Sequence, residues 1–125
     1  MRILLDSHTA LWWMDDPGKL TKEARDAIAD PANQVFLSAV SVWELGLKRL
    51  KGKLKLPANF AELLKADGVD ELVFTHSHAT QSLGLPPIHG DPFDRALIAQ
   101  CQLESLHFAT RDRFASGYEI AVLEV

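Results

Sequence analysis

The chain has 125 residues, 47% hydrophobic and 24% charged, and is expected to form one soluble globular domain over residues 1–125 with a core that needs no staples. Its net charge of −4 and pI near 5.7 argue against a protein whose main business is coating nucleic acid, which usually carries a basic footprint. The single cysteine, Cys101, excludes a disulfide framework and CxxC-type metal sites, and no run approaches the ~18 apolar residues of a membrane span.

The opening MRILLDSHTALWWM starts apolar, but Asp6 interrupts it and no small-residue cleavage site follows, so it is not read as a signal peptide and a cytoplasmic location is expected. ILL (3–5) reads as a short buried strand ending at Asp6, with a helix running on through Trp12, Trp13 and Met14. Asp16, Pro17 and Gly18 break the chain. Thr21 can then cap a helix that turns Leu20, Ala24, Ala27 and Ile28 inward, closed by Asp30 and Pro31. VFLS (35–38) is a second strand leading straight into the helix AVSVWELGLKRL, which Gly52 ends. Pro57 opens a short helix, FAELLKA, stopped by Asp67 and Gly68. ELVF (71–74) reads as a third strand, with Thr75 capping the helix after it. LGLPPIHG holds two prolines and two glycines in eight residues and must be a loop. A helix from Pro92 to about Glu104 carries Phe93, Leu97, Ile98 and Cys101 on one side. HFAT (107–110) is a fourth strand, and YEIAVLEV contains a fifth.

Short strands alternating with helices predict an α/β fold, a three-layer sandwich around a central, mostly parallel five-stranded sheet. In such sheets ligands bind beyond the carboxyl ends of the strands. Four acids stand there. Asp6 ends the first strand, Glu44 lies in the helix after the second, Asp94 lies in the first turn of the helix before the fourth, and Asp112 follows the fourth strand by two residues. Each has a structural alternative. Asp6 can be a helix N-cap; Glu44, in Ser41-Val-Trp-Glu44, can close a capping box; Asp112 can form a turn. In HGDPFDRALIAQ, Asp91 before Pro92 is a good N-cap, which leaves Asp94 free to project toward the strand ends.

Two carboxylates ~5 Å apart at an effective dielectric of ~20 repel by roughly 3 kcal/mol. A cluster of them must take up protons or bind a cation. An all-oxygen donor set without paired His or Cys favours a hard ion, Mg²⁺ or Mn²⁺, held by a few carboxylates and several waters as in phosphoryl chemistry.

ILLDSHTALWW, SAVSVWELGLK, HGDPFDRALIAQC and FATRDRF follow one another in the order and context found in PIN-domain proteins. The chain resembles most the VapC-type toxins of bacterial and archaeal toxin–antitoxin pairs, over essentially its full length. The resemblance implies a Mg²⁺- or Mn²⁺-dependent ribonuclease that leaves a 5′-phosphate and a 3′-hydroxyl. It maps the family's metal-binding, catalytic acids onto Asp6, Glu44 and Asp94, with Asp112 matching the fourth and Thr110 the polar residue beside the site. It also implies a homodimer, an RNA substrate and a small antitoxin partner. One position departs: many members carry a further acid directly before the phenylalanine of FATRDRF, where this chain has Arg113, so Asp112 is expected to act less directly than the other three. In-line attack of an activated water on the phosphodiester is the implied reaction. Asp6 and Asp94 would hold the ion and Glu44 would orient or deprotonate the nucleophile.

Arg95 and Arg111 adjoin the acids in sequence, as phosphate contacts or as charges offsetting them. The run KRLKGKLK (48–55), with five cations and no acid, is either a solvated helix end complementing the dipole or a phosphate-contacting patch. The five histidines share no metal spacing and read as ordinary polar or core residues. Trp12, Trp13 and Trp43 read as core or interface side chains, and Cys101 as a small buried hydrophobe. The main alternative is a non-catalytic PIN-fold module that binds RNA or a partner protein. A phosphoacceptor receiver domain lacks its early acidic pair and late lysine here, and a haloacid-dehalogenase-like phosphatase would need Asp-x-Asp where the chain reads Asp6-Ser7-His8.

Overall fold

The computed structural model describes all 125 residues. Strand and helix alternate along it: β1 (Arg2–Leu5), α1 (Ser7–Asp15), a 3₁₀ turn (Pro17–Lys19), α2 (Lys22–Ala29), β2 (Gln34–Ser38), α3 (Ala39–Leu50), α4 (Phe60–Ala66), β3 (Val69–Leu72), α5 (His76–Leu83), α6 (Pro92–Glu104), β4 (His107–Thr110), a second 3₁₀ turn (Arg113–Gly117) and β5 (Ala121–Glu124). The sheet order is β3-β2-β1-β4-β5, and every neighbouring pair is parallel, so the expected mostly parallel sheet is parallel throughout.

β1 sits at the centre, covered on both faces, which is why its residues form an uninterrupted apolar run rather than an alternation. Ile3 and Leu5 face one core with Val35, Leu37 and Ala109, packed by α1, α2 and α4. Leu4 faces the other with Phe36 and Phe108, packed by α6. Ile3 pairs with Val35 on one side and with His107 on the other. This register makes β1, β2 and β4 leave the sheet along one edge, so Asp6, Ser38 and Thr110 stand side by side there. The chain order switches between β1 and β4, the place where an open parallel sheet leaves a crevice.

The predicted caps form. Thr21 accepts from the Ala24 N–H, and Asp91 Oδ1 accepts from the N–H groups of Phe93 and Asp94 at 2.8 and 3.2 Å. Thr75 caps α5 with a full box, because His78 Nδ1 accepts from the Thr75 N–H while the Thr75 hydroxyl accepts from the His78 N–H. The third strand differs from expectation. It spans Val69–Leu72 rather than 71–74, since it is an edge strand whose only ladder, with β2, runs from Val35↔Val69 to Ser38↔Leu72 and stops where β2 stops. Val73 and Phe74 extend past that ladder and are exposed, so their apolar character mimicked strand residues.

One buried polar side chain ties the layers together. Gln100, fully buried on α6, accepts from the Ser38 hydroxyl at 2.6 Å and donates to the Val73 carbonyl at 3.1 Å, spanning the ends of β2 and β3. A Gln100→Ala substitution leaves both partners unsatisfied beside a new cavity and is expected to cost about 2–4 kcal/mol in urea denaturation. A loss below about 0.5 kcal/mol would mean the strand ends do not depend on this bridge.

Candidate active site

Asp6 follows β1 with backbone angles of an N-cap, yet its side chain makes no cap bond to α1. Its Oδ2 instead accepts the Thr110 hydroxyl at 2.7 Å. Thr110 Oγ1 accepts in turn from the Asp112 N–H at 3.1 Å, so one hydroxyl at the end of β4 sets both acids. Asp6 is buried, and that desolvation, opposed by the Thr110 bond and assisted by the charge of Asp112, raises its pKa above the ordinary value. Asp112 itself is exposed and, although it stands at the start of the 3₁₀ turn, makes no side-chain cap bond. A cleft of about 250 Å³ opens beside the pair, lined by Asp6, His8, Thr9, Trp12, Arg111 and Asp112.

Glu44 does not close a capping box. The N-cap of α3 is Ser38, and Ser41 lies inside the helix. Glu44 Oε1 accepts the Ser7 hydroxyl at 2.6 Å, and its Oε2 lies 3.1 Å from Lys48 Nζ. Ser7 is the first residue of α1, so the contact clamps α1 to α3 immediately after Asp6. Asp94 sits in the first turn of α6, held by Asp91's cap, and its Oδ2 is 2.7 Å from His89 Nε2. The imidazole is stacked on Phe114 at 3.8 Å between ring centroids, and the His89 N–H is anchored on the Tyr118 hydroxyl. Burial pushes the Asp94 pKa up to about 6; the His89 bond opposes the rise, and the charges of Asp6, Asp91 and Glu44 add to it. The field at Asp94 thus joins acids from two other segments, Asp6 and Glu44, with the cap of its own helix.

Residues 3–116 match the sequence profile of the PIN domain. The chain belongs to the PIN domain family. It is 32% identical over 114 residues to Ribonuclease VapC22 of Mycobacterium tuberculosis, an alignment covering 89% of this chain and 87% of that one. Its fold is similar to a chain in the crystal structure of VapBC2 from Rickettsia felis bound to a DNA fragment from their promoter (TM-score 0.70, 13% identity, 99% of this chain and 98% of that chain). A toxin–antitoxin complex from Klebsiella pneumoniae gives a TM-score of 0.66 at 16% identity, over 97% of this chain and 95% of that chain.

This PIN domain also places residues that sequence reading passed over. His89, taken as an ordinary histidine, is part of the acid group: one ligand atom each from His89, Asp91 and Asp94 fall within 4.8 Å of one another. The signal was the packing of His-Gly-Asp-Pro-Phe-Asp into six residues, which read as loop and cap. Arg95 takes a role neither reading named. Its guanidinium donates to the carbonyls of Ser82, Leu85, Pro86 and His89, and so staples the loop that carries His89. Arg111 likewise bonds the backbone oxygens of Lys19 and Val125 while lying over the Trp12 ring. The remaining histidines follow expectation where they are buried, as His78 does in its capping box.

The donor set fits a hard divalent ion. It is dominated by carboxylates, its only imidazole is already bonded to one of them, and burial, with a smaller contribution from neighbouring acids, raises the Asp94 pKa to about 6. Because the folded chain holds the Asp94 proton more tightly than an unfolded chain, the stabilising contribution is full below about pH 3.8 and is lost as pH rises through about 6. Asp94→Asn mimics the protonated form and keeps an acceptor for His89. In EDTA it is expected to match the parent near pH 4 and to exceed it at pH 7.5, by at most about 3 kcal/mol. Denaturant titrations at the two pH values check this, and equal stabilities at both would remove the raised Asp94 pKa from the account.

Proposed function

We propose that this PIN domain is a metal-dependent endoribonuclease that hydrolyses RNA phosphodiester bonds and acts as the toxin of a toxin–antitoxin pair. The observation that carries the reading is the set of acids at the carboxyl edge of the sheet: Asp6 after β1 with Asp112 beside it, Glu44 on α3 bonded to Ser7 next to Asp6, and Asp94 grouped with Asp91 and His89 at the start of α6, close enough for the charges of Asp6 and Glu44 to reach it. The relatives support it by name: one is called a ribonuclease, and others were solved as toxin–antitoxin complexes.

Asp6 and Asp94 would hold Mg²⁺ or Mn²⁺, with Asp91 and His89 beside Asp94 and Asp112 in a less direct role. When bound, the ion would neutralise the carboxylates, acidify a water and stabilise charge on the phosphate. The chain's own part is to fix the acids before substrate arrives. Thr110 orients Asp6, His89 orients Asp94, and Ser7 orients Glu44, each through a bond of 2.6–2.7 Å. Glu44, with Oε1 bonded to Ser7 and Oε2 paired with Lys48, would orient or deprotonate the nucleophile. Burial of Asp6 and Glu44 keeps bulk water from competing at these atoms.

The antitoxin belongs over the largest apolar recess, a groove of about 710 Å³ where Leu11, Trp12, Trp13 and Met14 of α1 face Leu54, Leu56 and Leu63. Trp13 is fixed there by its Nε1 donating to Asp67 at 2.9 Å. A homodimer is part of the same proposal, with Trp43, 63% exposed and edge-on to Phe93, as the apolar feature available to it. No helix is long and apolar enough to cross a membrane, and a cytoplasmic site of action completes the reading.

Purified chain free of any partner, incubated with single-stranded RNA, is expected to cleave it in Mg²⁺ or Mn²⁺ and not in EDTA. Asp6→Asn and Asp94→Asn are each expected to reduce the rate on the order of 100-fold or more, with wild-type folding by circular dichroism. Cleavage that persists in EDTA, or in both variants, would sink the metal-site reading. RNA binding without any cleavage would favour the non-catalytic module.

A further inference from the structure

We infer that the cationic run from Lys48 to Lys55 is a track for the phosphate backbone of single-stranded RNA, leading away from the acid site along α3; the inference rests on the ribonuclease reading. Glu44, Lys48 and Lys51 fall at i, i+4 and i+7, one stripe of a helix surface. The stripe starts inside the site, where Lys48 Nζ meets Glu44 Oε2 at 3.1 Å, and reaches Lys51 about 10 Å further along the axis at ~1.5 Å per residue. There α3 ends in a paired turn. Gly52, at φ +70°, lets its N–H bond the Arg49 carbonyl and the Lys53 N–H bond the Lys48 carbonyl at 2.9 Å. The fold-back keeps Lys53 over the last turn, beside Lys48, and sends Lys55 on toward the apolar groove whose rim it lines.

Charge complementarity picks the occupant. Five of the chain's 13 Lys and Arg lie in these eight residues, and none of its 17 acids does. Complementing the helix dipole takes only the cations of the last turn, Lys48 and Arg49, and Arg49 is further committed to the Leu56 carbonyl at 2.8 Å. Lys51, Lys53 and Lys55 are exposed and form no salt bridge. A polyanion approaching Asp6, Glu44 and Asp94 meets repulsion, and a cationic stripe beginning at Glu44 supplies the opposing field. The strand is single because Asp6 and Glu44 are at most 6% exposed, too recessed for the backbone of a rigid duplex.

The test measures binding of a fluorescein-labelled single-stranded oligoribonucleotide by anisotropy, in the Asp94→Asn background, between about 50 and 200 mM salt. The Lys51→Gln/Lys53→Gln/Lys55→Gln variant is expected to bind about 10-fold or more weakly at the lower salt. Its slope of log affinity against log salt is expected to be shallower by about 2, from ~0.7 per lost contact on a single strand. Lys65→Gln, on α4, is the matched control and is expected to keep the slope. If the triple variant folds and keeps both affinity and slope while the parent cleaves RNA, the track is overturned and the ribonuclease reading stands. If the parent neither cuts nor binds RNA, both fall.

Discussion

Burial of carboxylates at the carboxyl edge of a parallel sheet is the constraint around which this protein is arranged. β1, β2 and β4 end in register, and the segments following or packing on them bring carboxylates into a partly buried space where water screens poorly. The fold tolerates this because each acid has its own donor. Thr110 serves Asp6, Ser7 serves Glu44 and His89 serves Asp94, the first two pairs joining segments distant in sequence. The same bonds that relieve the charge also join α1 to α3 and β4 to β1. Stability and site geometry therefore share residues, which is the ordinary situation where a site works against its own scaffold.

Much of this was legible in the sequence, and for reasons that can be stated residue by residue. The alternation of short apolar runs with capped helices announced a parallel α/β sheet, and Thr21, Thr75 and Asp91 cap where their spacing placed them. The separation of Asp91 from Asp94 could be read because proline at the first helical position leaves one good cap and one residue over. The third strand was displaced by two residues because apolar character does not tell an edge ladder where its neighbour stops.

The illegible part was the side-chain chemistry that needs three dimensions. His89 lies five residues before Asp94, a spacing with no meaning until the loop folds back on Phe114 and Tyr118. Arg95 and Arg111 look alike on paper as cations beside acids, but both spend their donors on backbone carbonyls, a role with no sequence signature. The capping-box pattern Ser41-x-x-Glu44 was equally deceptive, since the helix begins three residues earlier at Ser38 and frees Glu44 to meet Ser7.

The staple made by Arg95 carries a consequence for how substrate and ion would meet the protein. A loop with two prolines, held by four carbonyls to one guanidinium, has little conformational freedom left to lose. His89 and the mouth of α6 are then in place before anything binds, so association would not need to include an ordering step of this loop. A chain that ordered this loop only on binding would trade speed for adaptability. Here the fold favours a loop set in advance.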